Sequence, residues 1–185
     1  MNTRKFLSLS AAFCILLLLA LPTFGLTTAQ LAALRADIAA DPTLNALPNI
    51  GDGPTTIAFA YNLNAVPAFV VWRSQVSVFE VQNSAAWDWT RIDNLTVGKA
   101  RLWEWLTRDT ILRPSQANVR AGIDATWVGT QADLNVRAAV YVLSKRFATR
   151  AEKLFATGTG TDAVPATMTF EGNLSANDVY TARTQ

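Results

Sequence analysis

The clearest helix of the chain begins at the sequence Thr130-Gln131-Ala132-Asp133, which has the spacing of a capping box. In a capping box, the side chain at the N-cap and the side chain three residues later each accept a hydrogen bond from the other residue's backbone N–H. Apolar residues then recur at helical spacing, which predicts a helix with one buried stripe. That stripe is predicted to consist of Leu134, Ala138, Tyr141 and Val142.

Similar signals predict helices along most of the chain. Thr27 and Gln30 form a capping box for a helix that runs to about Ala40. The sequence Asp52-Gly53-Pro54 is typical of a helix start, because proline fits the first helical position. Further helix starts are predicted near Thr96, Ser115, Thr149 and Ser175.

Two short segments have the composition of β-strands. Residues 69–72 and 76–81 are rich in β-branched and aromatic side chains, although the second segment does not alternate strictly and can also be read as a helix. The sequence therefore predicts a mainly α fold, a compact multi-helix domain in which these two segments can form one small β-hairpin.

Residues 1–25 form a leader that resembles a secretory signal peptide. Arg4 and Lys5 provide a positively charged start, and residues 11–21 are uninterruptedly apolar. As a helix, this apolar run would rise only about 16 Å, roughly half of a bilayer core, so a permanent membrane anchor is not expected. The alternative is a misassigned start codon. Under either interpretation, residues 26–185 are expected to form a single helical domain.

The composition excludes several classes of protein. The chain has 16 basic and 14 acidic side chains, and the excess lies in the leader, so the remaining residues are neutral. A neutral domain lacks the electrostatic footprint of a nucleic-acid-binding protein. The chain has no histidine, and its one cysteine, Cys14, lies in the leader. Thiolate catalysis, Ser-His-Asp catalysis and most zinc sites are thereby excluded. We expect no enzymatic activity, no cofactor and no metal site.

The six tryptophans are candidates either for the core or for contacts with other proteins. Trp103, Trp105 and Trp127 lie in apolar helical patterns, which favours the core. Trp87 and Trp89 lie in a polar stretch, where an extended backbone would point both rings to the same side. Core and exposed contact both stay open for these two residues, and we take them as candidate protein-contact residues.

A basic cluster is predicted along one helix. Lys145, Arg146, Arg150 and Lys153 fall partly on one side of that helix, where they could contact phosphates. In a neutral domain, a solvated helix face or ion pairs with residues such as Glu152 fit better. Arg146 and Arg150 are the candidate contacts for a charged protein partner.

Two other patterns indicate little chemistry. The loop at residues 157–161, TGTGT, shares only its glycines with phosphate-binding loops, because no strand precedes it and no Gly-Lys-Ser/Thr follows. We interpret it as a surface connection. Asp88, Asp93 and Glu104 lie near aromatic residues, but their spacing does not indicate a glycosidase with paired carboxylates.

Several long stretches carry a family resemblance. They are residues 97–105 (VGKARLWEW), 117–123 (ANVRAGI) and 148–160 (ATRAEKLFATGTG), and residues 69–73 (FVVWR) and 165–168 (PATM) fit the same pattern. The stretches resemble a family of small, uncharacterised proteins encoded by tailed bacteriophages and prophages and associated with virion morphogenesis. The resemblance covers nearly all of residues 26–185.

The resemblance implies a bacteriophage virion structural or assembly protein that acts through protein–protein contacts. Its partners would be other virion proteins or further copies of itself, and its location would be the virion, or the host cytoplasm during assembly. The resemblance brings no catalytic residues, and it implies a chain that begins near Leu26. The alternative, which takes the leader as genuine, is a secreted or periplasmic small binding module with an aromatic-lined ligand groove.

Overall fold

Helices dominate the computed structural model, which describes residues 25–84, 87 and 90–185. The helices are α1 (Thr28–Ala40), α2 (Pro42–Asn45), α3 (Gly53–Asn62), α4 (Val78–Gln82), α5 (Thr90–Asp93), α6 (Val97–Thr107), α7 (Ala117–Thr126), α8 (Gln131–Leu143), α9 (Arg150–Phe155) and α10 (Ala176–Thr184). The strands are β1 (Val70–Trp72), β2 (Val76–Ser77), β3 (Ile111–Leu112), β4 (Lys145–Phe147), β5 (Ala156–Thr157) and β6 (Thr167–Met168). The prediction of a mainly α fold is confirmed. In the described part of the chain, no helix is both long and apolar enough to cross a membrane.

Most helix starts that were predicted from capping signals are confirmed. The N-cap side chains of Thr27, Thr130, Thr149 and Ser175 each close a full capping box at the start of α1, α8, α9 and α10. Helix α7 begins one residue later than predicted, since its N-cap is Gln116, which forms no side-chain cap bond.

Among the described residues, the strands form three antiparallel pairs, β1 with β4, β2 with β3 and β5 with β6. In the first pair, Val71 lies opposite Arg146. The other edge of β1 is also occupied, because the Trp72 N–H donates to the Ala166 carbonyl at 2.9 Å. The prediction that Lys145 and Arg146 share a helix with Arg150 and Lys153 is therefore wrong: Lys145–Phe147 extends to pair with β1, and a new helix starts after it.

Two main clusters of buried side chains form the core. The first combines both ends of the described chain, with residues from α1, α2, α3, α9 and α10 around the fully buried Tyr61. The second comes from the central part of the chain and surrounds Trp127 with residues of β2, β3, α4, α6, α7 and α8. A small cluster of Val71, Ala148 and Ala166 lies at the strand pair β1–β4.

The predicted stripe of α8 is wrong in its register. The buried side chains are Asp133, Val136 and Val140, whereas Val142 is 72% exposed. Val136 and Val140 pack in the second cluster, and on the same side of α8 Asp133 accepts a hydrogen bond from Arg91 at 2.7 Å.

Candidate functional site

A groove of about 640 Å³ lies beside the first core cluster. We call it the α3 groove, because the C-terminal end of α3 forms one wall, while α1 and α9 contribute the other sides. Its lining consists of Asp37, Ala60, Leu63, Asn64, Ala65, Val66, Arg150, Lys153 and Leu154.

An exposed apolar ridge of Phe59, Leu63 and Val66 lies at the C-terminal end of α3, and two of its members, Leu63 and Val66, line the α3 groove. Phe59 and Leu63 lie one helical turn apart and are 65% and 51% exposed, and Val66 is 91% exposed. The opposite side of α3 is buried in the first cluster through Ile57 and Tyr61. Helix α3 therefore carries an apolar side chain, Phe59, outside the side that packs in the first cluster.

One side of the groove is held by a polar cluster around Arg150. The guanidinium donates to Asp37 at 2.8 Å and to Asp41 at 2.9 Å, and its central carbon lies 4.4 Å from the centroid of the Tyr61 ring. The Tyr61 hydroxyl also donates to Asp37. This cluster ties α1, α3 and α9 together and fixes the shape of the groove.

The protonation states in this cluster are stable. Burial raises the pKa of Tyr61 above its ordinary value, and the hydrogen bond to the negative Asp37 raises it further. The backbone N–H of Leu44 and the guanidinium of Arg150 lower the pKa of Asp41. The tyrosine therefore stays a hydrogen-bond donor and the carboxylate stays charged around neutral pH.

Arg150 and Lys153 are positively charged residues of the groove lining. Arg150 is paired with carboxylates, whereas no carboxylate among the described residues lies within ion-pair distance of Lys153. Its ammonium lies 5.7 Å from the centroid of the Phe69 ring. A groove that combines apolar side chains with one uncompensated cation suits an apolar segment of a partner that carries a carboxylate.

Arg146 and Arg150, the candidate contacts for a charged partner, both have partners inside the chain. Arg146 donates to both carboxylate oxygens of Glu152 at 2.7 Å and to Glu171 at 3.0 Å. Glu152 is only 2% exposed. On its own, burial would raise the pKa of Glu152, but the hydrogen bonds from Arg146 and from the Thr149 N–H hold that pKa below its ordinary value. Of the two arginines, only Arg150 lines the α3 groove.

Among the residues that the structure describes, no tryptophan lines the α3 groove. Trp87 is half-buried, and its ring centroid lies 5.8 Å from that of Trp103 and 5.7 Å from that of Trp127. Both Trp103 and Trp127 are buried, as predicted. The prediction for Trp105 is wrong, because this side chain projects from α6 and is 63% exposed. Trp89, the other candidate contact residue, lies outside the described residues.

The glycines of the loop at residues 157–161 have a packing role. Gly160 has φ +65°, and a Cβ at this position would overlap the ring of Phe69. A Cβ on Gly158 would lie 3.1 Å from the backbone of Ala166. Close packing therefore explains both glycines without a phosphate. Among the described residues, no group of three or more acidic, histidine or cysteine side chains could hold a metal ion.

Sequence reasoning missed the ridge of Phe59, Leu63 and Val66. The available signal was that α3 carries apolar side chains at positions that cannot all face the same core.

No protein-family model matches the chain, and no curated protein or solved structure matches it either.

Proposed function

We propose that the chain is a structural or assembly protein of a tailed bacteriophage virion that acts through protein–protein contacts. The observation that carries the proposal is the exposed ridge of Phe59, Leu63 and Val66, of which Leu63 and Val66 line the α3 groove. Single exposed apolar side chains are common, but a contiguous apolar surface with a polar rim is typical of an interaction site. The resemblance to virion-associated proteins gives the kind of assembly.

The contact would gain its energy from covering the ridge. Fully burying one valine, leucine or phenylalanine side chain contributes about 1.5–3 kcal/mol, so three such side chains can support a specific contact. Lys153 at the groove would select the register of the partner by pairing with one of its carboxylates. The polar cluster around Arg150 keeps the groove preformed, which lowers the entropic cost of binding.

A small binding module is the second candidate, and the volume of the groove favours it. About 640 Å³ falls within the range of small-molecule sites. The lining, however, is a mixture of aliphatic and polar residues without an aromatic side chain, and the buried tryptophans belong to the core and not to the groove. An apolar ligand with a carboxylate would be the expected occupant in this case.

The test is mass spectrometry of native material, applied both to purified virus particles and to the periplasm or medium of the cells that produce the protein. The proposal predicts a chain that starts near Leu26 and copurifies with the particles. A chain processed after Gly25 and found in the periplasm or medium, with none in particles, would overturn the proposal and support the exported binding module.

A further inference from the structure

A second exposed surface lies on the other core cluster, around Trp105. Its ring borders a pocket of about 160 Å³ between the C-terminal end of α6 and the start of α7. Leu106 and Val119, both almost fully buried, line the same pocket. Small-molecule sites usually have at least about 300 Å³. This pocket is therefore too small for a typical ligand and suits one inserted side chain.

The charges around the pocket are mainly positive. Arg101 and Arg108 lie four residues before and three residues after Trp105, which places all three on one side of α6. Arg113 also lines the pocket. Asp109 lies 3.6 Å from Arg113 and 3.9 Å from Arg108, so one carboxylate is shared between these two arginines.

Arg101 keeps its charge available. Among the described residues, no carboxylate lies within ion-pair distance of Arg101, and the residue is exposed. Its guanidinium and that of Arg108 flank an exposed indole, and tryptophan and arginine are the side chains most often found at the energetic centre of protein interfaces. The combination of a side-chain-sized pocket, an exposed indole and available guanidinium groups defines what we call the Trp105 surface: Arg101, Trp105, Arg108 and Arg113.

We infer that the Trp105 surface docks an acidic segment of another protein. One apolar side chain of that segment fills the pocket beside Trp105, and flanking carboxylates pair with Arg101 and Arg108. A nucleic acid fits less well, because Asp109 lies between Arg108 and Arg113 and interrupts the positive surface that a continuous chain of phosphates would need. The inference goes beyond the proposed function and does not depend on the α3 groove.

The test uses the full chain labelled with fluorotryptophan and followed by fluorine NMR, with the Trp105 signal assigned through Trp105→Phe. The probe is a short blocked peptide with one leucine flanked on both sides by glutamates. The matched probes are the same peptide with lysines in place of the glutamates and a short oligothymidylate. We expect the glutamate peptide to shift the Trp105 signal and the lysine peptide to leave it unchanged.

Charge reversal identifies the contacting arginines. Arg101→Glu and Arg108→Glu should each weaken the binding of the glutamate peptide about tenfold, because each removes one charged contact and adds a repulsion. Arg35→Glu, at an exposed position of α1, makes the same change of charge elsewhere and should have no effect. The signals of the other tryptophans report whether each variant is folded.

Three results would overturn the inference. The first is no shift of the Trp105 signal by the glutamate peptide at millimolar concentration. The second is an equal shift by the glutamate and lysine peptides, which would mean unselective apolar contact. The third is a stronger and more salt-dependent shift by the oligothymidylate, which would assign the surface to single-stranded nucleic acid.

Discussion

Replacing Arg146 with methionine should destabilise the protein strongly, because it leaves Glu152 charged and buried. Glu152 is 2% exposed and accepts four hydrogen bonds, two from Arg146 at 2.7 Å and one each from the backbone N–H groups of Thr149 and Gly172. The variant keeps only the two backbone donors. Removing one partner of a buried ion pair typically costs about 3–5 kcal/mol, and we expect Arg146→Met to lie in that range at neutral pH.

The assay is urea unfolding, with the free energy of unfolding taken from the midpoint and the slope. Arg137→Met is the matched control, since Arg137 pairs with the half-exposed Asp124 at 3.6 Å. An exposed pair of this kind contributes about 0–1 kcal/mol. If Arg146→Met costs no more than Arg137→Met, the reasoning about the buried pair is refuted.

The pH dependence of the loss provides an independent check. In the wild type the pKa of folded Glu152 lies below its unfolded value, so its contribution is present at neutral pH and is lost as the pH falls through the folded pKa. In Arg146→Met, burial is opposed only by two backbone donors, and the folded pKa should rise above the unfolded value of about 4.3. The cost of the substitution should therefore shrink as the pH is lowered. A cost that is constant with pH would contradict a charged Glu152.

Three further predictions concern the core, an acid-sensitive helix cap and a glycine. Trp127→Ala should lower the free energy of unfolding in urea by about 3–5 kcal/mol, because Trp127 is fully buried. Trp105→Ala, at an exposed site, should change it by no more than about 0.5 kcal/mol. Equal losses would contradict the assignment of Trp127 to the core and Trp105 to the surface. The hydrogen bond from Arg91 lowers the pKa of Asp133 to about 2. The contribution of Asp133 to stability should therefore be complete above the ordinary pKa of an aspartate and disappear only as the pH falls towards 2. Asp133→Asn should flatten this part of an acid-unfolding curve, and an unchanged curve would contradict a charged, hydrogen-bonded Asp133. Gly160→Ala should lower the free energy of unfolding by about 2 kcal/mol, because Gly160 has φ +65° and a Cβ would overlap a phenylalanine ring. An unchanged stability in thermal unfolding would contradict this prediction and show that the loop can relax.

Local signals predicted the helix starts well, because a capping box depends only on residues three apart in the chain. Thr27, Thr130, Thr149 and Ser175 all cap helices as their spacing predicts. Strand β4 could not be read in this way, since its partner Val70–Trp72 lies far away in sequence and lysine and arginine are good helix formers. Tertiary pairing outweighed that local preference.

The candidate site depends on contacts between distant residues, and for this reason the sequence indicated only part of it. Arg150 was a predicted contact residue, but its partner Asp37 lies 113 positions away. Phe59 and Trp105 sit in helices that carry apolar side chains on several faces, and periodicity does not tell which face meets a core. Only the packing of α3 and α6 shows that both side chains are exposed.

The proposed function depends on the α3 groove binding a neighbouring protein subunit in a virion. The most direct measurement is quantitative mass spectrometry of density-purified particles assembled with Leu63→Asp, compared with Thr55→Asp, an exposed position of α3 that does not line the groove. Burying an unpaired carboxylate against an apolar partner is costly. We therefore expect the Leu63→Asp protein to fold but to be lost from the particles, and the Thr55→Asp protein to be retained. Incorporation of both variants at the wild-type level, or the absence of the wild-type protein from particles, would contradict the account.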